Sequence, residues 1–122
     1  MIYWTLVFIG GGAGSLCRYF LASKLNYTGQ EYFIFPYGTF IANLLSCFIL
    51  GILIQKQVNH QLSEQYRLLL ATGFCGGFST FSTFGYEIYM YMQKDQFLFG
   101  LGYTLVSILA GVLAMVIGMR LT

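Results

Sequence analysis

Charge is scarce in this chain. Only 8% of the 122 residues are Asp, Glu, Lys or Arg, and the six basic and four acidic side chains are scattered singly. A nucleic-acid face needs a basic patch, so that scatter excludes nucleic acid as a partner. Proline occurs once, at Pro36, where it can occupy the first turn of a helix without costing a needed hydrogen bond. Cys17, Cys47 and Cys75 are odd in number and sit inside apolar runs, which implies no disulfide framework. No Lys or Arg precedes the first apolar run, so Met1 to Ile9 lacks the charged region of a secretory signal and reads as a retained first span. His60, the sole histidine, has no Cys or carboxylate at ligand spacing and reads as solvated. With no nucleophile and base pair, metal cluster or phosphate loop, the chain does not read as an enzyme.

Hydrophobic residues, by contrast, make up 57% of the chain, and the mean hydropathy is +0.70. About 20 apolar residues cross about 30 Å of hydrocarbon as a helix, so about 80 positions make four spans. The expectation is an all-α integral membrane protein, a single four-span domain over residues 1–122, with spans at about 3–25, 33–55, 66–93 and 97–119. The stretch from Asn26 to Glu31 reads as a turn, and Gln55 to Gln65 as a loop in water. Lys56, Arg67 and Arg120 then lie on one side, against Lys24 and Lys94 on the other, with Arg18 about two turns inside that second end. The positive-inside rule works through an asymmetry that is nearly absent here. Insertion in both orientations, giving an antiparallel dimer, stands beside a single orientation set by weak bias.

The least ordinary segment runs from Gly73 to Gly85 in the third span. Its glycines, Ser and Thr weaken a helix locally. Unwinding there would free carbonyl oxygens able to hold a cation, whereas an intact helix would use Gly73 and Gly77 as a packing seam, and Gly10 and Gly14 repeat that spacing in the first span. Phe78, Phe81 and Phe84 recur every third residue and predict one aromatic stripe, either lipid-facing or presenting electropositive ring edges to an anion. Asn43, with Thr39 and Ser46, and Tyr103, Thr104 and Ser107 form either a narrow polar track or interhelical glue. Arg18 either snorkels or draws an anion into a vestibule, and Glu87 is expected to reach water.

Three segments resemble one family. Gly10, Gly11, Gly14, Arg18 and Tyr19 look like the GGxxGAxxRY signature of the Fluc (CrcB) fluoride channels. Pro36, Gly38, Thr39, Asn43, Cys47, Phe48 and Gly51 resemble its PxGTxxxN segment and the two helical turns after it, and Gly73, Gly76, Gly77, Thr80, Phe81, Ser82, Thr83 and Phe84 its GxxGGxTTFSTF segment. The resemblance spans the whole chain. It implies a multi-pass protein of the bacterial cytoplasmic (inner) membrane that exports cytoplasmic fluoride passively and so relieves its toxicity. It also implies a dual-topology antiparallel homodimer with two pores, and a third helix broken at mid-span. A structural, untransported Na⁺ is implied on the two-fold axis, held by the backbone carbonyls of Gly76 and Ser79. Pore roles fall on Asn43, Phe81, Phe84, Tyr103 and Ser107, with Thr39 and Thr83 beside them, and the vestibule arginine is Arg18. Ser79 stands where the family has Thr, Ser15 where Ala is usual and Ser46 where Gly is usual.

Two other readings compete. A small multidrug resistance exporter has similar length and topology but needs a membrane-embedded glutamate in its first span, which here holds no acid, so Glu87 would have to serve. A non-transporting assembly subunit would use the glycine seams alone.

Overall fold

The computed structural model describes residues 1–25 and 35–122. The predicted turn over 26–31 and the expected start of the second span at Phe33 lie outside the described residues. Among the described residues, four helices are long and apolar enough to cross a membrane: Ile2–Leu25, Tyr37–Val58, Glu64–Gln93 and Phe97–Arg120. Helices of 24 residues, such as the first and last, rise about 36 Å, enough to cross the hydrocarbon with some tilt.

Apolar side chains mostly point outward. Trp4 and Phe8 on the first span and Leu109, Val112 and Leu113 on the fourth are exposed, as a lipid-facing surface requires. The interior is built from small residues, because lipid tails leave no hydrophobic force between helices and close backbone approach must supply the packing. The first span packs on the third: a Cβ at Gly10 would overlap the Leu69 carbonyl, one at Gly14 the Phe74 carbonyl, and one at Gly77 the Gly11 carbonyl. The second packs on the fourth in the same way, with Gly51 against Met115 and Gly118 against Phe48.

Helix ends follow local chemistry. The second span runs on to Val58, past the predicted end at Gln55, because Gln and Lys are good helix formers once clear of the hydrocarbon. It stops where His60 takes a φ of 57° and the Gln61 amide donates to the Lys56 carbonyl at 2.8 Å. Asp95 ends the third span alike, with φ 57° and the Gln96 amide donating to Tyr91 at 2.8 Å. The third span begins at Glu64, where the Ser63 hydroxyl accepts the Tyr66 amide at 3.3 Å.

Within the third span, Arg67–Cys75 is a π-helix, followed by helical Gly76–Phe78. Ser79 (φ −123°, ψ 131°) and Thr80 (φ −130°, ψ 139°) are extended, and helix resumes over Phe81–Gln93. Two extended residues change the direction of every side chain beyond them. The predicted single stripe of Phe78, Phe81 and Phe84 is therefore not formed: Phe78 is buried against Phe74, ring centroids 5.3 Å apart, whereas Phe81 is 84% exposed.

Candidate functional site

The second, third and fourth spans open a groove of about 330 Å³ where the chain is extended at Ser79 and Thr80. Asn43 and Cys47 of the second span, Phe81 and Phe84 of the third and Ser107 of the fourth line it. Among the described residues no hydrogen bond engages the Asn43 carboxamide, which carries two N–H donors. The Ser107 hydroxyl is buried and, among the described residues, makes no hydrogen bond. The Phe81 and Phe84 rings lie 6.2 Å apart and inclined at 47°. Unengaged donors beside aromatic rings, whose edges are electropositive, form a surface able to meet a small anion.

A second polar centre adjoins the groove. Thr39 Oγ1 donates to Glu87 Oε2 at 2.5 Å and Tyr103 Oη donates to Glu87 Oε1 at 2.8 Å. Glu87 is buried, only 5% exposed, and does not reach water as expected. Hydroxyls from the second and fourth spans replace the water, as a carboxyl buried among apolar helices requires. The Tyr103 ring lies 5.1 Å from Phe84, inclined at 47°, and edge-on 5.2 Å from Phe35, which holds its hydroxyl in place. Thr83 Oγ1 accepts at 2.9 Å from Oγ1 of Thr80, which lines the groove. Thr104 departs from the predicted track: its hydroxyl donates to the Gly100 carbonyl at 2.9 Å and its side chain faces a separate crevice against Ile88 and Met92.

At the extended residues the carbonyls divide into two sets. Cys75 O accepts the Ser79 amide at 3.2 Å, the Ser46 hydroxyl at 3.2 Å and the Ser79 hydroxyl at 3.3 Å. Gly77 O accepts Arg18 Nε at 3.3 Å, so Arg18 lies against the third span and not on the groove. The Gly76 and Ser79 carbonyls take none of these bonds, and a Cβ at Gly76 would meet open space. Neutral carbonyl oxygens suit a hard cation, and two are too few to complete its shell from one chain.

The structure thus brings Asn43, Phe81, Phe84 and Ser107 to one groove, sets Thr39, Tyr103 and Thr83 beside it, and leaves Arg18 on the first span's seam. Glu87 is noticed in the sequence but misplaced by it, expected in water and found buried at this centre. Its signal is its status as the only acid inside an apolar segment.

Apolar helices whose polar groups converge on one groove define a multi-pass membrane protein with an internal polar site. The chain belongs to the CrcB family, described as CrcB-like protein, Camphor Resistance (CrcB), whose family model matches residues 5–119. It is 40% identical over 121 residues to the fluoride-specific ion channel FluC of Gloeothece citriformis, covering 99% of this chain and 97% of that protein. It is 42% identical over 117 residues to FluC of Chlorobium phaeobacteroides, covering 95% and 89%. With FluC of Azobacteroides pseudotrichonymphae it shares 41% identity over 118 residues, covering 96% and 93%.

Proposed function

We propose that the chain is a fluoride-selective channel, not an enzyme, that releases cytoplasmic fluoride down its electrochemical gradient and so relieves fluoride toxicity. One observation carries the reading: the groove gathers the Asn43 donors, the buried Ser107 hydroxyl and the Phe81 and Phe84 rings, and among the described residues these polar groups have no hydrogen-bond partner. Taking a small anion out of water costs on the order of 20 kcal/mol, which only replacement partners can offset. These groups are such partners, and a narrow row of weak sites lets the ion leave as well as enter. The names of the relatives select fluoride among small anions. No nucleotide-binding motif offers coupling, so the flow is passive.

Dimerisation is part of the proposal. A polar groove facing hydrocarbon must be covered by protein, and Phe81, 84% exposed at its edge, needs a neighbour. A second copy in the opposite orientation fits the nearly even distribution of Lys and Arg between the two sides. Such a pair brings two Gly76 and two Ser79 carbonyls to its axis, where they would hold a structural Na⁺. That ion would add fixed positive potential at the dimer centre. Arg18, bonded to the Gly77 carbonyl, adds a positive charge beside the third span. The bacterial inner membrane is the proposed location. The exporter reading loses its support, because Glu87, the carboxyl it needs, is tied to Thr39 and Tyr103 in place of being open to drug.

The test is reconstitution of the purified chain in liposomes loaded with equal fluoride and chloride, with efflux followed by ion-selective electrodes. Rapid fluoride release with chloride retained is expected. Equal release of both ions, or of neither, overturns the assignment.

A further inference from the structure

Two positions that depart from the family pattern touch one another. Ser46, where Gly is usual, is 3% exposed within the second span. Ser79 stands where Thr is usual, and its hydroxyl donates to Ser46 Oγ at 3.1 Å. Ser46 Oγ in turn donates to the Cys75 carbonyl at 3.2 Å. A hydroxyl has one hydrogen to give and lone pairs to receive: Ser79 Oγ faces both Ser46 Oγ at 3.1 Å and the Cys75 carbonyl at 3.3 Å, and its hydrogen given to the nearer Ser46 makes a chain from Ser79 to Ser46 to Cys75. The chain ties the second span to the carbonyl that accepts the Ser79 amide at the start of the extended residues. It also holds the side chain of Ser79, and so restrains the backbone at the residue that carries the Ser79 carbonyl. Glycine at position 46 has no atom with which to receive that hydroxyl.

The geometry points to Ser46 as a positioning residue: through Ser79 it orients the carbonyl proposed to hold Na⁺, and so sets the affinity of the cation site without touching the ion. This rests on the proposed cation site. Ser46 also lies one helical turn from Asn43, so the same link couples the axis of the dimer to the wall of the groove.

The experiment measures the melting temperature of the detergent-solubilised full chain against Na⁺ concentration, with N-methylglucamine as the replacement cation. Ligand binding to the folded state makes the melting temperature rise with ligand concentration, and the midpoint of that rise reports affinity. Ser46→Ala, which keeps helix propensity, and Ser79→Ala are each expected to raise the Na⁺ midpoint about fivefold, the worth of one hydrogen bond. The double variant is expected to raise it no further, since both remove the same link. Ser79→Thr, which retains a hydroxyl, is expected to keep the midpoint of the unaltered protein. Fluoride efflux at saturating Na⁺ should persist in Ser46→Ala. An unchanged midpoint in Ser46→Ala, or additive shifts in the double variant, overturns the positioning role while leaving the cation site standing. A melting temperature indifferent to Na⁺ in the unaltered protein overturns the cation site and this role together.

Discussion

The Tyr103 hydroxyl donates to Glu87 Oε1 at 2.8 Å, so a residue of the fourth span holds the carboxyl of the third inside the bundle. Thr39 holds the other oxygen from the second span, and three helices thereby meet at one side chain. The ring contact of Tyr103 with Phe84 at 5.1 Å connects this centre to the groove. Packing and pathway are consequently not separable here: the groups that register the helices also line or support the proposed route.

Removing either donor should show that coupling. Tyr103→Phe and Thr39→Val each leave a buried carboxyl oxygen without its hydroxyl, at a cost of about 1–3 kcal/mol. Melting temperature should fall in each, by about 5 °C or more, and fluoride efflux should slow. Because both act on Glu87, the double variant should fall short of the sum. Additive losses measured by thermal melts would show that the two hydroxyls do not share a partner.

Asn43 and Phe81 test the pathway itself. Asn43→Asp exchanges two donors for an acceptor-only anion, and like charges at about 4 Å repel by about 4 kcal/mol at an effective dielectric of about 20. Efflux from liposomes should drop by about two orders of magnitude or more. Phe81→Ile removes an aromatic edge and should slow efflux about tenfold, in keeping with the strength of ring-edge interactions. As Phe81 is 84% exposed, its replacement should leave the monomer's helices intact by circular dichroism. Undiminished efflux in both variants would remove these residues from the route.

Much of this arrangement can be read from particular residues. Long apolar runs mark the spans, and Asn43, Thr39 and Ser107 stand out as polar groups inside them. The weak helix around Gly76 and Gly77 likewise follows from propensity. Glu87 cannot be placed that way, because its burial depends on hydroxyls delivered by Thr39 and Tyr103 from two other helices. The separation of Phe78 from Phe81 arises from the extended dihedrals of Ser79 and Thr80, and a strict helical period cannot anticipate them. Thr104 lies within the helical spacing of Tyr103, yet its hydroxyl satisfies the Gly100 carbonyl of its own helix. The π-helical stretch over Arg67–Cys75 leaves no mark in composition; it lies along the seam where the third span meets the first at Gly10 and Gly14.

That seam makes its own prediction. Gly77→Ala would drive a methyl group into the Gly11 carbonyl, and Gly10→Ala one into the Leu69 carbonyl. Backbone cannot yield as a flexible side chain does, so each substitution should cost about 1–3 kcal/mol. Gly12→Ala is the control, because a Cβ there meets nothing within 4 Å. It should be neutral or stabilising by up to about 1 kcal/mol through helix propensity. Thermal melts of the three variants in one detergent would separate close packing from a general intolerance of alanine in the first and third spans.

Orientation in the membrane supplies the last test. Lys56, Arg67 and Arg120 on one side nearly balance Lys24, Lys94 and the more deeply set Arg18 on the other. A small added charge should therefore decide the insertion. Asn59→Lys with Gln61→Lys should place the loop after the second span in the cytoplasm, and Lys56→Gln with Gln93→Lys should favour the opposite orientation. Each variant expressed alone should insert one way, measured by labelling of an introduced loop cysteine from outside the cell, and should release little fluoride. Co-expressed, the two should reconstitute an antiparallel pair and restore release. Full activity from either variant alone, with labelling from one side only, would show that the working assembly does not need opposed copies.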